Sequence, residues 1–373
     1  MILFLSAASL LLALMPAVMF FLNLPLFQLQ QSDRDEATTV VSVSVLIPAR
    51  NEAEGIAACV RSVVASQDVS VEVVVLDDHS TDATRKIVNE IAAQDDRLRC
   101  IAGEELPEGW NGKQFACTQL AQAAEHQHIV FLDADVRLSP NALSALVVEK
   151  RNRSAALLSQ FPRQITGSIA EHALIPMMHF ILLGYLPFAR MRSSSHPAYA
   201  AGCGQFFLTT QSEYQAAGTH AAIRGSRHDG IQLPKIFRAA GMITDVVDGT
   251  NLAQCRMYNG ASQVINGVLK NATEGIAHPT RIIPFTILLL GSCVLPWITL
   301  AWSVAQHQPL GILLSAPAIL FAHVPRVLAA IHFRQSWLGV VTHSIGILVF
   351  VTLQWIALIL QLLGKQVSWR GRK

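Results

Sequence analysis

Long uncharged apolar stretches stand at both ends of this chain, and a more mixed pattern lies between them. Residues Ile2–Leu22 contain no charged side chain and are long enough, at about 1.5 Å per residue, to cross a hydrocarbon core of about 30 Å. Charged residues are also absent between Arg281 and Arg326 and between Arg334 and Lys365. The pattern predicts a soluble portion flanked by membrane helices.

The central portion alternates β-branched runs with segments of helical periodicity. Val40–Ile47 and Val69–Leu76 are rich in valine and isoleucine, which predicts buried strands. A helix is predicted to begin near Glu54, with Ile56 and Val60 on its apolar face. A strand, helix, strand, helix order is typical of a parallel α/β sheet.

A third apolar run ends in two acids that are one residue apart. Side chains alternate along a strand, so Asp133 and Asp135 should lie on the same side at its carboxyl end. Adjacent buried carboxylates repel each other, and a hard divalent cation such as Mn²⁺ or Mg²⁺ would relieve that repulsion. The alternative is a strand-to-loop turn whose acids face solvent.

Two further polar clusters follow the first two strands, and a lysine loop precedes the third. The clusters are 48–52, Pro-Ala-Arg-Asn-Glu, and 77–84, which begins Asp-Asp-His-Ser. Carboxyl ends of parallel strands share one sheet edge, which is where open α/β sheets bind ligands. Lys113 ends the sequence Gly-Trp-Asn-Gly-Lys at a predicted helix start, which suits an anionic group. The alternative is that Lys113 is a solvated surface lysine that binds no anion.

Composition narrows the class of protein. The chain is 51% hydrophobic and only 14% charged, which is typical of a membrane protein with one soluble portion. The net charge is +2 and no basic run contains interleaved aromatics, so nucleic-acid binding is not expected. The six cysteines form no CxxC pair, which favours reduced thiols in a cytosolic compartment.

These patterns divide the chain into five parts. The predicted parts are a membrane anchor 1–24, an α/β domain 40–270, an interfacial or re-entrant segment 172–192 within it, membrane helices 281–364 and a basic tail 365–373. Three spans are predicted in the last helical part, namely Ile282–Val304, Leu310–Ile331 and Leu338–Leu363.

The positive charges give conflicting indications of topology. Arg326 and Arg334 favour a cytoplasmic loop after the second span. Three spans after a cytosolic domain would nevertheless put the basic tail outside. Either one segment does not cross, or the charge rule is broken here.

Three motifs together resemble a known family. The sequences Val-Leu-Ile-Pro-Ala-Arg-Asn-Glu (45–52), Leu-Asp-Asp-His-Ser-Thr-Asp-Ala-Thr (76–84) and Phe-Leu-Asp-Ala-Asp (131–135) resemble, in that order, the inverting family 2 glycosyltransferases with a GT-A fold. The resemblance covers about residues 43–260. The lysine loop and the membrane arrangement are most similar to the hopene-associated and diaponeurosporenoate (carotenoid) glycosyltransferases.

The resemblance implies roles for the residues at the first two strand ends. Pro48, Ala49 and Glu52 would line a nucleotide pocket, and Asp77 or Asp78 would accept a hydrogen bond from the base.

It also implies roles around the third strand. Asp133 and Asp135 would form the family's DxD motif, which binds Mn²⁺ or Mg²⁺ on the donor diphosphate, and Asp135 would be the direct metal ligand. Lys113 is predicted, mainly from its charge and its loop, to contact the same diphosphate.

An inverting transfer needs a base on the acceptor, and a carboxylate whose pKa is raised by burial would fit. In the family this base is the Asp of a Glu-Asp pair before an amphipathic helix, which corresponds to Asp229. His228 replaces the usual Glu, and Asp229 could instead only cap the helix. The small-residue loop 200–207 would contact sugar or acceptor, or form an ordinary turn.

The sequence therefore predicts a membrane-bound, metal-dependent, inverting glycosyltransferase with a cytoplasmic catalytic domain. It would transfer a sugar from a nucleotide-diphosphate donor to a membrane lipid acceptor, of carotenoid or hopanoid type. A polyprenyl phosphate acceptor is one alternative, and a non-catalytic membrane protein with a sugar-nucleotide-like domain is another. Residues 254–258 lack the Gln-x-x-Arg-Trp sequence of processive synthases, so a single transfer is expected.

Overall fold

The computed structural model describes residues 1–30 and 40–364; the predicted basic tail and part of the linker lie outside them. The strands are β1 (Val41–Ala49), β2 (Val69–Asp77), β3 (Leu98–Ala102), β4 (His128–Leu132), β5 (Val136–Leu138), β6 (Leu157–Gln164), β7 (Phe206–Thr210) and β8 (Thr244–Cys255). The helices are α1 (Ile2–Phe27), α2 (Ile56–Val64), α3 (Thr84–Ala92), α4 (Gly112–Ala123), α5 (Ala142–Asn152), α6 (Ile169–Leu174), α7 (Met177–Tyr185), α8 (Phe188–Ser193), α9 (Gln211–Ala216), α10 (Asp229–Ala239), α11 (Ala261–Ala272), α12 (Ile282–Cys293), α13 (Leu295–Ala305), α14 (Pro309–His332), α15 (Trp337–Val341) and α16 (His343–Leu362).

The chain forms two compact units. The α/β unit comprises Phe27–Ile165 and Ala189–Met257, and the helical unit comprises Met1–Leu26, Thr166–Phe188 and Tyr258–Lys373. These bounds differ from the predicted domains 1–24, 40–270 and 281–364, because the chain enters the helical unit in the middle of the α/β sequence. The composition pattern along the chain does not show that Thr166–Phe188 belongs to the helical unit.

The α/β unit is built on one mixed sheet with the strand order β3-β2-β1-β4-β7-β6-β8-β5. Strand β1 is parallel to both β2 and β4, with Val45 opposite Val73 on one side and Val130 on the other. The predicted parallel α/β sheet is confirmed for this half. Strand β7 is antiparallel to β4, so the complete sheet is mixed.

Both faces of strand β1 are buried, which explains its uninterrupted apolar sequence. Val45 and Ile47 pack in one core cluster with Ile56 of α2. Leu46 points to the opposite face and packs in a second cluster with Leu120 of α4. Helices thus cover the sheet on both sides, and loops at the strand ends are left to form a site.

Three helices of the described residues are long and apolar enough to cross a membrane, α1, α14 and α16. Within the predicted span Ile282–Val304, α12 and α13 meet at a bend of 47°, so this stretch is either one broken span or a re-entrant segment. Pro296 at the start of α13 lacks an N–H group and cannot continue the α12 ladder. The predicted span Leu338–Leu363 is likewise divided, into α15 and α16.

The apolar segment predicted at 172–192 is a series of short helices, α6, α7 and α8. Prolines interrupt it, with Pro176 preceding α7 and Pro187 preceding α8. This agrees with the prediction that the segment is not a straight span. Most of it belongs to the helical unit.

A buried ion network links strands and helices of the α/β unit. The Asp245 carboxylate on β8 lies 2.9 Å from Arg153 and 2.8 Å from Arg192, and the side chains of Asp245 and Arg153 are 1% and 3% exposed. Both charges are therefore removed from water, and each compensates the charge of the other.

We expect Asp245→Ala to lower the free energy of unfolding by about 3 kcal/mol, because it leaves the buried Arg153 charge with less compensation. A fall of several degrees in the melting temperature of the detergent-solubilised protein would report it. Glu90→Ala is the control, since its pairing with Lys86 is largely exposed and should contribute less than about 1 kcal/mol. Equal melting temperatures for the two variants would contradict the network's role.

Candidate functional site

The predicted nucleotide-pocket residues lie at adjacent strand ends. Ala49 at the end of β1 is opposite Asp77 at the end of β2, and the Asp78 amide donates to the Ala49 carbonyl at 2.8 Å. On the other side of β1, strand β4 ends just before Asp133, whose amide donates to the Gln205 carbonyl at 3.0 Å. The sheet thus brings Pro48, Ala49, Asp77, Asp78 and Asp133 to one edge.

Hydrogen bonds tie together the loops after β1 and β2. Asn51 adopts a left-handed φ of 54°, and its side-chain oxygen accepts a bond of 2.8 Å from the Thr81 amide. The Glu52 amide donates to the Thr84 hydroxyl at 2.8 Å. Glu52 is thereby fixed beside the edge where the acids converge, and its charge acts on Asp135.

Lys113 is the centre of the site. Asn111 caps α4 by accepting from the Lys113 amide, and this places the lysine in the first turn of that helix. Its Nζ lies 2.6 Å from Oδ1 of Asp133 and 2.8 Å from Oδ2 of Asp229. Nζ also donates to the Gly204 carbonyl at 3.1 Å. One ammonium therefore joins the end of β4, the start of α10 and the small-residue loop.

This ion cluster shifts the pKa values of its members. Burial alone would lower the pKa of Lys113, but the Asp133 and Asp229 carboxylates raise it well above the usual value. Burial alone would raise the pKa of Asp229, but the Lys113 ammonium lowers it. The expectation that Asp229 has a raised pKa is therefore wrong, because the lysine on α4 pairs with it.

Asp135 is the carboxylate whose pKa is raised. Burial, followed by repulsion from Asp133, raises the pKa of Asp135 to about 6. Its Oδ1 atom is buried and has no hydrogen-bond partner among residues 1–30 and 40–364. A buried, unpaired carboxylate oxygen beside a second carboxylate is a favourable ligand set for Mn²⁺ or Mg²⁺.

The two acids fit only part of a metal shell. In the described part of the chain, no three His, Cys, Asp or Glu side chains converge on one point as a complete metal site. Mg²⁺ is commonly bound by one or two carboxylates, with phosphate oxygens and waters supplying the remaining ligands. Asp133 and Asp135 are therefore compatible with a metal that a diphosphate helps to hold.

The small-residue loop contacts Asp229 directly. A Cβ atom at Gly204 would lie 2.2 Å from Oδ1 of Asp229, far inside van der Waals contact. The same oxygen accepts from the Gly230 amide at 2.8 Å, so the carboxylate has little freedom to move away. Glycine at 204 thus lets the loop backbone reach both Lys113 and Asp229.

We expect Gly204→Ala to reduce the activity of this site by roughly a hundredfold, since the added methyl group displaces the Asp229 carboxylate. The same clash should lower the melting temperature by a few degrees. Gly225→Ala is the matched control, because a Cβ there meets only the Gly109 carbonyl, at 3.5 Å. Equal activity of the two variants would show that the position of Asp229 is unimportant.

Two buried side chains near the cluster have no signal in the sequence. Nδ1 of His220 lies 2.7 Å from the Tyr214 hydroxyl. Burial lowers the pKa of His220 to about 3, which keeps the ring neutral, and the charge of Asp229 acts on it. Cys203 belongs to the small-residue loop. It is buried, and burial raises the pKa of its thiol to about 12.

Comparison with known sequences identifies the α/β unit. The sequence model of glycosyl transferase family 2 matches residues 44–206, which include all three motifs. Residues 44–206 form a family 2 glycosyltransferase domain. Asp229, the predicted base, lies beyond the matched residues.

Two curated relatives extend the similarity beyond residues 44–206. The chain is 27% identical over 272 residues to the 4,4'-diaponeurosporenoate glycosyltransferase of Staphylococcus haemolyticus (strain JCSC1435), covering 72% of this chain and 71% of the relative. It is 26% identical over 256 residues to the enzyme of the same name from Staphylococcus aureus (strain USA300), covering 67% of this chain and 66% of the relative.

The fold is similar to that of a solved mannosyltransferase from Pyrobaculum calidifontis, determined in complex with GDP-Man and Mn²⁺. The TM-score is 0.56 at 16% identity, with coverage of 94% of this chain and 99% of that one. The mixed sheet, the family match and this similarity confirm the predicted α/β GT-A fold with apolar helices toward both ends of the chain.

Proposed function

We propose that this family 2 glycosyltransferase transfers a sugar from a nucleotide-diphosphate donor to a carotenoid-type lipid in the membrane. The observation that carries the proposal is the bridge made by Lys113, whose Nζ lies 2.6 Å from Asp133 and 2.8 Å from Asp229. This bridge joins the acid expected to face the donor diphosphate to the acid expected to face the acceptor. A transfer site requires these two functions next to each other.

The donor would bind along the edge formed by β1, β2 and β4. Pro48, Ala49 and Glu52 would line the nucleotide pocket, and Asp77 or Asp78 would accept from the base. Oδ1 of Asp77 is buried without a hydrogen-bond partner among the described residues, which supports a contact with a donor group of a ligand.

Asp133 and Asp135 would hold the divalent metal. The ion would supply positive charge to neutralise the departing diphosphate. Lys113 already lies against Asp133 and would place a second positive charge beside the same diphosphate, where stabilising the developing negative charge has its greatest effect.

Asp229 would act at the acceptor. With a hydroxyl acceptor, its Oδ2 would take the hydroxyl proton as the oxygen attacks the anomeric carbon from the face opposite the diphosphate, and the configuration would invert. With a carboxylate acceptor, which is already ionised, no proton transfer is required. Lys113 keeps Asp229 ionised and therefore able to accept a proton.

The apolar helices support a lipid acceptor and a membrane location. Three described helices could cross a bilayer, and the bent pair α12–α13 could form a fourth span or a re-entrant segment. We place the catalytic unit in the cytoplasm, where nucleotide sugars are available. The name of the curated relatives, diaponeurosporenoate glycosyltransferase, favours a carotenoid over a hopanoid or a polyprenyl phosphate.

Transfer by the purified full-length protein tests this proposal. Radiolabelled UDP-, GDP- and TDP-sugars are supplied with Mn²⁺ and with vesicles containing a carotenoid acid, a carotenoid alcohol or a polyprenyl phosphate. We expect a lipid product that gains one hexose mass, and no product after chelation of the metal. Absence of any glycolipid and of sugar-nucleotide hydrolysis would instead favour a non-catalytic membrane protein.

A further inference from the structure

Cys255 is a buried residue that the proposed transfer reaction does not use, and it lies beside the predicted metal ligand Asp135. In the sheet, Cys255 on β8 stands opposite Val136 on β5, the residue that follows Asp135. The Cys255 thiol forms a hydrogen bond with the Asp135 side chain. This contact connects β8 to the carboxylate that is predicted to bind the metal directly.

The direction of this hydrogen bond follows from the side chains around Cys255. Nε2 of Gln164 donates to the Pro162 carbonyl at 3.2 Å and to Oε1 of Gln205 at 2.8 Å. A backbone carbonyl can only accept, so both amide groups have a fixed orientation. Nε2 of Gln205 therefore faces the Cys255 sulfur and donates to it at 2.7 Å. The sulfur is the acceptor in that bond, and its own S–H group donates to the ionised Asp135, which can only accept.

Gln205 supports the other acid of the pair as well. Its backbone carbonyl accepts from the Asp133 amide at 3.0 Å. Its side chain is buried, so both its amide contacts are shielded from water. Gln205 thus fixes the backbone at Asp133 and, through Cys255, the side chain of Asp135. The two predicted metal ligands share one support.

This arrangement leaves one oxygen of Asp135 available for an ion. Oδ1 is buried and has no hydrogen-bond partner among residues 1–30 and 40–364. A carboxylate whose rotation is already restricted loses less conformational freedom when it binds a cation, and it therefore binds more tightly. Hydrogen bonds to metal ligands commonly have this effect, and removing one weakens metal binding by about 10- to 100-fold.

We propose that Cys255, oriented by Gln205, is a positioning residue for Asp135. Its S–H group fixes the carboxylate and leaves Oδ1 to bind the divalent cation. The inference rests on the proposed role of Asp133 and Asp135 as metal ligands. It assigns a task to a thiol that takes no part in making or breaking bonds.

Titration of Mn²⁺ into the detergent-solubilised full-length protein, with GDP or UDP present, tests this role. Electron paramagnetic resonance measures free Mn²⁺, and a titration without protein corrects for binding to the nucleotide. Cys255→Ala should raise the Kd for Mn²⁺ by roughly 10- to 100-fold, because alanine cannot donate to Asp135. Cys255→Ser should bind Mn²⁺ nearly as well as the unaltered protein, because a hydroxyl still donates. In transfer assays, Cys255→Ala should raise the KM for Mn²⁺ and keep most of kcat at saturating Mn²⁺.

Cys293→Ala is the matched control, since Cys293 is a fully buried thiol of the helical unit, and its Mn²⁺ affinity should be unchanged. Undiminished Mn²⁺ affinity of Cys255→Ala would overturn the inference and leave the proposed metal site in place. Absence of Mn²⁺ binding by the unaltered protein would overturn both. Gln205→Met is a second variant, which removes the donor to Cys255 and should weaken Mn²⁺ binding less. If Cys255→Ala does not fold, unchanged Mn²⁺ affinity of Gln205→Met would overturn the inference instead.

Discussion

Asp229→Asn should reduce sugar transfer to a hydroxyl acceptor by roughly 10²- to 10⁴-fold, the usual contribution of a general base. An amide cannot take the acceptor proton. The carboxylate accepts with both oxygens, Oδ2 from Lys113 and Oδ1 from the Gly230 amide, each at 2.8 Å, and the single oxygen of an amide can keep only one of these contacts. Donor affinity should therefore change little, whereas the melting temperature should fall by a few degrees because the ion pair with Lys113 is lost. Initial rates with a labelled sugar nucleotide and calorimetric titration of the donor measure the two effects separately.

Two comparisons make this experiment specific. Asp96→Asn, at an exposed acid of the same unit, should leave transfer unchanged. In Asp229→Asn, the rate of transfer to a carboxylate acceptor should fall much less than the rate of transfer to a hydroxyl acceptor, because a carboxylate has no proton to be removed. Full turnover of Asp229→Asn with a hydroxyl acceptor would exclude Asp229 as the base.

Lys113→Met should reduce transfer by roughly 10²- to 10³-fold, since it removes a fixed positive charge from beside the expected diphosphate. It also leaves Asp133 and Asp229 without the ammonium that lies 2.6 and 2.8 Å from them. Repulsion between these two carboxylates should lower the melting temperature by several degrees as well. Both the donor KM and kcat are expected to worsen in steady-state measurements.

Lys86→Met is the control for the removal of a lysine, because Lys86 is 79% exposed and forms only a loose pair with Glu90. It should behave like the unaltered protein. Lys113→Arg should recover stability better than activity, because a guanidinium keeps the charge but cannot occupy the compact position of an ammonium. Normal kinetics of Lys113→Met would leave Lys113 with a purely structural role.

Much of the fold follows from local sequence. The β-branched runs predicted β1 and β2, and the two acids after the third run predicted where β4 ends. Neighbouring parallel strands must end at a common edge, so the grouping of Asp77 and Asp133 near one site could also be predicted. These inferences depend on strand periodicity alone, which does not require knowledge of tertiary contacts.

The contacts among Lys113, Asp133 and Asp229 could not be predicted in the same way. They depend on how the first turns of α4 and α10 approach the end of β4, and this is set by packing across the unit. For the same reason the lowered pKa of Asp229 and the proximity of His220 have no signal in the sequence. The bend at Val294 was missed because a proline in a membrane helix does not by itself fix a break.

The contact between Gly204 and Asp229 also limits how this enzyme could be redesigned. Two backbone stretches meet with no room for a methyl group, since a Cβ at Gly230 would lie 2.8 Å from the Gly202 carbonyl. Randomised libraries that include codons 204 or 230 would consist mostly of inactive clones. Directed evolution toward new sugars or acceptors should therefore leave these two glycines unchanged.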